Sequence, residues 1–133
     1  MLDGGELTGR DALQRPLQPS DIMVVTPYNA QVRTIRATFQ RRDLSVRAGT
    51  VDKFQGQEAP VLFFSMATSS GEDIPRSLDF LFSRNRLNVA ISRAQCLAIL
   101  VASPRLLDVN CRTVDQMKLV NALCRFVEIA QAV

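Results

Sequence analysis

Short apolar runs and amphipathic stretches alternate along this chain, and they predict strands and helices in turn. Residues 1–20 show no periodicity and predict an extended or disordered lead-in, so the domain is expected to cover residues 21–133. Strands that alternate with helices favour a three-layer α/β domain with a mainly parallel sheet. Apolar runs at residues 22–25, 59–68 and 96–102 predict three strands, and the alternation of Val46, Ala48 and Thr50 predicts another at residues 45–51.

Helical spacing begins directly after the first predicted strand. Val32, Ile35 and Phe39 recur at i, i+3 and i+7, so they share one face of a helix. Thr26 can cap this helix, and Pro27 fits its first turn. We therefore expect the helix to start where the strand ends, with its polar residues turned away from the sheet.

Two longer helices are predicted in the second half of the chain. One extends from a cap at Ser83 through Ala94, and the other begins at a capping box formed by Thr113 and Gln116. Between the second and third strands, Asp52 can cap a short helical turn. The last helix has an apolar stripe broad enough to pack flat on a sheet. Its members are Met117, Val120, Cys124 and Val127, with Leu119, Leu123 and Phe126 beside them.

Composition fits a single globular domain of 133 residues, with 47% apolar and 22% charged residues. No apolar run approaches the roughly 20 residues of a membrane span, and no secretory signal is visible, which predicts a cytoplasmic protein. Histidine is absent, which excludes a Cys/His zinc site and a histidine base. The three cysteines are widely spaced and are interpreted as reduced, mostly buried thiols.

Basic residues are concentrated in one third of the chain. The net charge is only +3, but 14 of the 16 basic residues are arginine, whose guanidinium suits phosphate. A solvated helix face is an equally good explanation for the first four members of this cluster. The cluster consists of Arg33, Arg36, Arg41, Arg42, Arg47 and Lys53.

The polar turn before the third predicted strand is the first candidate site. It places Gln55, Gly56 and Glu58 directly against an apolar run. Ligands of parallel α/β domains bind where buried strands end. Two more polar segments, 26–31 and 84–93, also adjoin predicted strands, and we expect right-handed crossovers to bring all three to one edge of the sheet.

These three segments carry the chemistry of polyanion binding. They supply amides, hydroxyls, one glutamate and at least two arginines, a set that suits phosphates and nucleic-acid backbone. No Gly-x-x-x-x-Gly-Lys-Ser/Thr sequence occurs, so the chain contains no phosphate loop. If it binds a nucleotide, it supplies only half of the site.

Three segments in order resemble helicase motifs. Val-Thr-Pro-Tyr-Asn-Ala-Gln at 25–31 resembles motif IV, Thr-Val-Asp-Lys-Phe-Gln-Gly-Gln-Glu at 50–58 resembles motif V, and Asn-Arg-Leu-Asn-Val-Ala-Ile-Ser-Arg-Ala at 85–94 resembles motif VI. Their order is similar to that of superfamily 1 helicases of the 5′-to-3′ branch with the Upf1-like and Dna2-like enzymes. The resemblance implies an AAA-type, second RecA-like domain, with the P-loop NTPase-like fold but without the Walker motifs.

The resemblance implies roles at a nucleotide site. Arg93 stands where the family has its arginine finger, which would reach the γ-phosphate of ATP bound with Mg²⁺ mainly by a partner domain. Glu58 and Gly56 would lie on the nucleotide side of motif V, and Gln55 and Arg86 would be supporting polar groups. The alternative for Arg93 is an ordinary surface arginine.

The resemblance also implies a nucleic-acid path. Thr50 would contact the backbone of single-stranded DNA or RNA, and Pro27, Tyr28, Asn29 and Gln31 would line the same path. For Tyr28, packing at the strand end is an equal alternative to stacking on a base.

The implied partner is an N-terminal RecA-like domain that carries the phosphate loop, so the chain is interpreted as a fragment and predicted to be inactive in ATP hydrolysis alone. In some bacterial relatives a RecB-like nuclease module precedes the helicase. A second hypothesis is a non-catalytic nucleic-acid-binding or regulatory module with the same fold. A third is a fragment that self-associates through the surface of its missing partner.

Overall fold

The computed structural model describes residues 6–8, 14–68 and 84–131, with the backbone alone for residues 84 and 85. From residue 22 onward, strands and helices follow the predicted order. The elements are β1 (Glu6–Thr8), β2 (Gln14–Pro16), β3 (Ile22–Val25), α1 (Asn29–Arg41), β4 (Arg47–Gly49), β5 (Ala59–Ser65), α2 (Arg84–Ile91), β6 (Ala94–Val101) and α3 (Val114–Ile129). Among the helices in these ranges, none combines the length and the apolarity that a membrane crossing needs.

A four-stranded parallel sheet in the order β4–β3–β5–β6 lies at the centre of the fold. β3 pairs with both β4 and β5, and β5 pairs with β6, in parallel each time. Parallel strands need crossover connections that cover both faces of the sheet, which explains why β3 and β5 are almost continuously apolar. The predicted α/β fold with a mainly parallel sheet is confirmed.

Alternate residues of the strands face two separate apolar cores. Met23, Val25 and Leu62 belong to the larger core, which also contains residues of α2 and α3. Ile22 and Val24 face the opposite side, where α1 covers the sheet. The domain therefore has three layers, with α1 on one face and the helices of the second half on the other.

Helix α1 starts later than the sequence predicts. Its N-cap is Tyr28, and its first residue is Asn29. The N–H of Thr26 donates to the carbonyl of Gly49 at 3.1 Å, so Thr26 is still hydrogen-bonded to β4 and does not begin the helix. The predictions that Thr26 caps the helix and that Pro27 lies in its first turn are therefore wrong.

The turn after β4 differs from the prediction as well, because it begins earlier than predicted. Asp52 is the first residue of a 3₁₀ turn, Asp52–Phe54, and Val51 occupies the N-cap with helical backbone angles. The prediction that Asp52 caps this turn is wrong, because the helical backbone has already started at Val51. The carboxylate of Asp52 instead lies 3.7 Å from the guanidinium of Arg86.

The ends of the other two helices are partly as predicted. Thr113 caps α3, since its hydroxyl accepts the N–H of Gln116 at 3.2 Å, which confirms this half of the predicted capping box. The side chain of Gln116 instead accepts the N–H of Arg112 at 2.8 Å, so the second half of the box is wrong. Helix α2 ends at Ile91 rather than Ala94, because Ala94 already pairs as the first residue of β6. Ser83, the predicted cap of α2, lies outside the described residues.

Helix α3 packs through a narrower face than predicted. Val120 and Leu123 are buried, whereas Met117 and Val127 are 59% and 41% exposed. Met117 lies roughly 90° around the helix from the centre of the buried face, and Val127 lies in its last turn. The prediction of a flat stripe through both residues is therefore wrong.

A short antiparallel pair, β1 with β2, forms in the residues predicted as a lead-in. Arg15 of β2 donates two hydrogen bonds to the carboxylate of Asp21, at 2.7 and 2.6 Å. Asp21 is buried and also accepts the N–H of Gln18 at 2.8 Å. These contacts hold β2 against the turn that leads into β3. They are polar and involve residues without apolar periodicity, so the sequence pattern could not predict them.

Gly49, the last residue of β4, has no room for a side chain. A Cβ atom there would lie 2.8 Å from Cε2 of Phe54, whose ring is buried. We expect Gly49→Ala to lower the free energy of unfolding by roughly 1–2 kcal/mol, because the ring must leave its packed position. Urea unfolding followed by circular dichroism measures this loss.

Gly56→Ala is a useful control for this prediction. Nothing lies within 4 Å of a Cβ atom at Gly56, where the backbone φ is +80°, so its cost comes from backbone strain alone. Shortening Phe54 to leucine should recover part of the loss in Gly49→Ala and none of the loss in Gly56→Ala. Unchanged stability of Gly49→Ala would contradict the predicted clash.

Candidate nucleotide and nucleic-acid site

Two threonines lie at the carboxyl edge of the sheet, Thr26 directly after β3 and Thr50 directly after β4. Thr50 is half-buried, and its carbonyl accepts the N–H of Lys53 at 3.1 Å. Thr26 is fully buried, and its hydroxyl has no hydrogen-bond partner within the described residues. Both threonines thus lie at the edge where parallel α/β sheets bind ligands.

The predicted nucleic-acid residues at the start of α1 differ in exposure. Pro27 is buried, Tyr28 and Gln31 are half-buried, and Asn29 is exposed. Tyr28 packs against the larger core, which agrees with the packing alternative for this residue. All four lie between β3 and the first turn of α1, on the same edge of the sheet as Thr50.

Glu58 and Arg93 lie at the opposite, amino edge of the sheet. Glu58 directly precedes β5, and Arg93 directly precedes β6. The N–H of Ala59 donates to the carbonyl of Arg93 at 3.0 Å, which places the two segments side by side. The expectation that all three polar segments meet at one edge is wrong, because each connection between parallel strands leaves the carboxyl edge and returns at the amino edge.

The guanidinium of Arg93 has unused hydrogen-bonding capacity. Arg93 is half-buried, and its Nε is buried without a hydrogen-bond partner in the ranges described. None of the ion pairs formed by the described residues includes Arg93. A buried donor without a partner is costly, and the described residues leave this donor of Arg93 unused.

Gln95 of the neighbouring strand β6 positions the exposed carboxylate of Glu58. Nε2 of Gln95 donates to Oε2 of Glu58 at 3.3 Å, and Arg47 donates to the carbonyl of Glu58 at 3.1 Å. Sequence reasoning missed Gln95. The signal that could have found it is its position two residues after Arg93, at the start of a strand that pairs beside Glu58.

The turn that carries Gln55 and Gly56 connects the two edges. Both residues are exposed, and the positive φ of Gly56 is a conformation that favours glycine. Asp52 begins the turn, and its ion pair with Arg86 ties the turn to α2. The predicted site residues therefore form one group at each edge of the sheet, with this turn between them.

A protein family described as an AAA domain matches residues 8–105, which include every strand from β2 to β6 and all three motif-like segments. This chain belongs to that family. The family and the relatives below confirm the resemblance to superfamily 1 helicases of the Upf1-like branch.

Several curated relatives are helicases by name. The chain is 46% identical over 81 residues to the DNA polymerase alpha-associated DNA helicase A of Schizosaccharomyces pombe, a match to 61% of this chain and 12% of the relative. It is 39% identical over 94 residues to the probable RNA helicase armi of Drosophila melanogaster, which covers 67% of this chain and 8% of the relative. An uncharacterized ATP-dependent helicase of Methanocaldococcus jannaschii is 38% identical over 84 residues, or 63% of this chain and 12% of the relative.

The chain thus corresponds to one part of these longer proteins. The matched segments span 8% to 12% of the length of the three relatives. The family match and the relatives support a helicase domain as the broad class of this chain.

Proposed function

We propose that this chain is the C-terminal, second RecA-like domain of an ATP-dependent DNA or RNA helicase motor. The observation that carries the proposal is the guanidinium of Arg93, whose buried Nε has no partner in the described residues. The backbone carbonyl of Arg93 accepts the N–H of Ala59, the residue after Glu58. Membership of the AAA domain family and the helicase relatives support the same function.

The nucleotide, in this proposal, lies between the amino edge of the sheet and an N-terminal RecA-like domain that carries the phosphate loop. ATP supplies the phosphoanhydride bond that is hydrolysed. Arg93 donates to an oxygen of the γ-phosphate and stabilises the charge that develops there. Glu58 and Gly56 contact the nucleotide from the turn, with Gln55 and Arg86 as supporting polar groups.

Mg²⁺ is assigned to the partner domain together with the phosphate loop. Within the described residues, no three His, Cys, Asp or Glu side chains converge in a group that could hold a metal ion. Nucleotide-bound Mg²⁺ needs one or two carboxylates in addition to the phosphate oxygens. In this proposal the domain contributes the arginine, and its partner contributes the metal ligands, as the resemblance to the helicase family implies.

Nucleic acid is proposed to bind at the carboxyl edge. Thr50 contacts the backbone of a single strand, and Pro27, Tyr28, Asn29 and Gln31 line the same path. Hydroxyl and amide groups suit contacts to phosphate and sugar, which position a strand without reading its sequence. One relative is named a DNA helicase and another an RNA helicase, so the proposal includes both substrates.

ATP hydrolysis tests the shared site. The 133-residue chain alone is expected to hydrolyse no ATP, because it has no phosphate loop. Joined to an N-terminal RecA-like domain, it should hydrolyse ATP faster when single-stranded oligonucleotide is added, as phosphate release would show. Steady turnover by the chain alone would contradict the proposal.

A joined protein that binds nucleic acid and never hydrolyses ATP would favour the alternative of a non-catalytic module. The RecB-like nuclease module and the cytoplasmic location expected from the sequence stay predictions.

A further inference from the structure

An open cavity of about 400 Å³ lies beside β4, the edge strand of the sheet, and has no role in the proposed motor. Helix α1 forms one wall, and the turn that follows β4 forms the other. Its volume lies within the roughly 300–1,000 Å³ of small-molecule sites. We call it the edge cavity, and it is lined by Arg36, Phe39, Gln40, Leu44, Val46, Arg47, Ala48, Lys53, Phe54 and Gln57.

Three cations and no carboxylate belong to this lining. Arg36 is fixed by two hydrogen bonds, at 2.9 and 2.7 Å, from its Nε and Nη2 to the carbonyl of Ala48. Arg47 is fixed by its bond to the carbonyl of Glu58. Both guanidiniums are thus oriented before a ligand arrives, which lowers the entropy lost on binding an anion.

The rest of the lining suits a planar, partly apolar group. Phe39, Leu44 and Val46 are half-buried and supply apolar surface between the cations. Gln40 and Gln57 are exposed, and each amide can both donate and accept a hydrogen bond. Cations, amides and apolar surface together match the three parts of a nucleotide: the phosphate, the base edge and the base face.

We propose that the edge cavity binds one nucleotide of a single-stranded nucleic acid. The base lies on the apolar surface with its edge on Gln40 and Gln57, and the phosphates lie against Lys53 and Arg47. This inference rests on the proposed nucleic-acid binding and extends the path away from the carboxyl edge. Lys53 links the edge cavity to the carboxyl edge of the sheet, because its N–H donates to the carbonyl of Thr50.

Charge along the chain favours this occupant. Residues 29–57 contain six cations and only two carboxylates, Asp43 and Asp52. Such a field attracts the phosphate backbone independently of sequence. Strand addition by a peptide is disfavoured at this edge, since the outward carbonyl of Ala48 is already occupied by Arg36.

The first test uses the only two lysines of the chain as a matched pair. Lys53→Gln and Lys118→Gln remove the same charge, but Lys118 is an exposed residue of α3 that does not line the edge cavity. Fluorescence anisotropy with a labelled oligothymidylate or oligouridylate of about ten nucleotides measures affinity against salt concentration. We expect Lys53→Gln to weaken binding roughly fivefold and to reduce the salt slope by about one, with little change for Lys118→Gln.

The second test asks whether a base occupies the cavity. Wild-type protein should bind an oligonucleotide with abasic sites more weakly than the intact strand, and Gln57→Ala should reduce this difference without changing the salt slope.

Amide chemical shifts of Gly49, Lys53 and Gln57 should move on addition of the strand. Free AMP should move them only at far higher concentration, and larger shifts with AMP would identify a free-nucleotide site and overturn the proposal.

Failure of this inference is distinguishable from failure of the proposed function. Equal affinity and salt slope of the two lysine variants, in a protein that binds the strand, would overturn the edge cavity alone. Absence of binding by wild-type protein would overturn both. Tighter binding of a Glu- and Phe-rich peptide than of the oligonucleotide, with the same shifts, would assign the cavity to a protein partner instead.

Discussion

Replacing Arg93 by alanine, in a protein that joins this domain to the proposed N-terminal RecA-like domain, is expected to reduce nucleic-acid-stimulated ATP hydrolysis by about 10³–10⁵-fold. Within the described residues, the Nε of Arg93 has no hydrogen-bond partner and the guanidinium belongs to no ion pair. Its loss should therefore act on phosphoryl transfer, as measured by the rate of phosphate release at saturating ATP.

Lysine at this position should rescue little of the activity. A guanidinium presents donors in a fixed planar fork, whereas an ammonium is a compact charge on a flexible stem. The carbonyl of Arg93 is bonded to the N–H of Ala59, so the backbone position is retained in both variants. A difference between them would then report on the geometry of the side chain.

Arg105→Ala is the matched control for Arg93→Ala. Arg105 is exposed on the 3₁₀ turn Pro104–Asp108, and its replacement removes the same charge. We expect this variant to hydrolyse ATP at nearly the wild-type rate, and both variants to bind single-stranded oligonucleotide as the wild type does. An unchanged hydrolysis rate in Arg93→Ala would remove this residue from the mechanism.

The parallel sheet could be predicted because its inner strands are apolar along most of their length. Ile22–Val25 is buried at every position, and Ala59–Ser65 at most positions. A run of this kind needs cover on both faces, which a parallel sheet with crossover helices provides. The cap of α3 at Thr113 could also be predicted from the sequence, because it depends only on a threonine hydroxyl and an N–H three residues later.

The arrangement of the site could not be predicted, because it depends on pairing between distant strands. Glu58 and Arg93 are neighbours only because Ala59 pairs with Ala94 in the ladder of β5 and β6. The contact of Gln95 with Glu58 depends on the same register. A polar segment between two parallel strands reaches both edges of the sheet, so its position in the chain alone does not decide which edge a given residue occupies.

Packing also overrode two local signals. Asp52 has the chemistry of a helix cap, but the 3₁₀ backbone begins before it and its carboxylate pairs with Arg86. Met117 has the apolar spacing of a core residue, yet α3 turns this side chain to solvent. In both cases the residue type was compatible with two environments, and only the tertiary structure chose between them.

Removing the carboxylate of Asp21 is expected to destabilise the domain by about 2–3 kcal/mol, because three short hydrogen bonds to a charged, buried acceptor are lost. Two of these bonds come from Arg15 and one from the N–H of Gln18. Asp21→Ala leaves Arg15 half-exposed, so water compensates its charge and the loss stays below that of a fully buried pair. The free energy of unfolding in urea at neutral pH measures the effect.

The pH dependence of stability gives this prediction its sharper test. The hydrogen bonds from Arg15 hold the pKa of Asp21 below its ordinary value of 3.8. A carboxyl group with a lowered folded-state pKa stabilises the fold fully above its unfolded pKa, and this stabilisation is lost as the pH falls through the folded pKa. The difference in stability between wild type and Asp21→Asn should therefore be constant above about pH 5 and shrink below about pH 4. Asp108→Asn is the control, because it removes an exposed carboxylate and should leave the free energy of unfolding at neutral pH equal to that of the wild type. Equal stability of Asp21→Asn and wild type at pH 7 would contradict the role of the Arg15–Asp21 contact in joining β2 to the sheet.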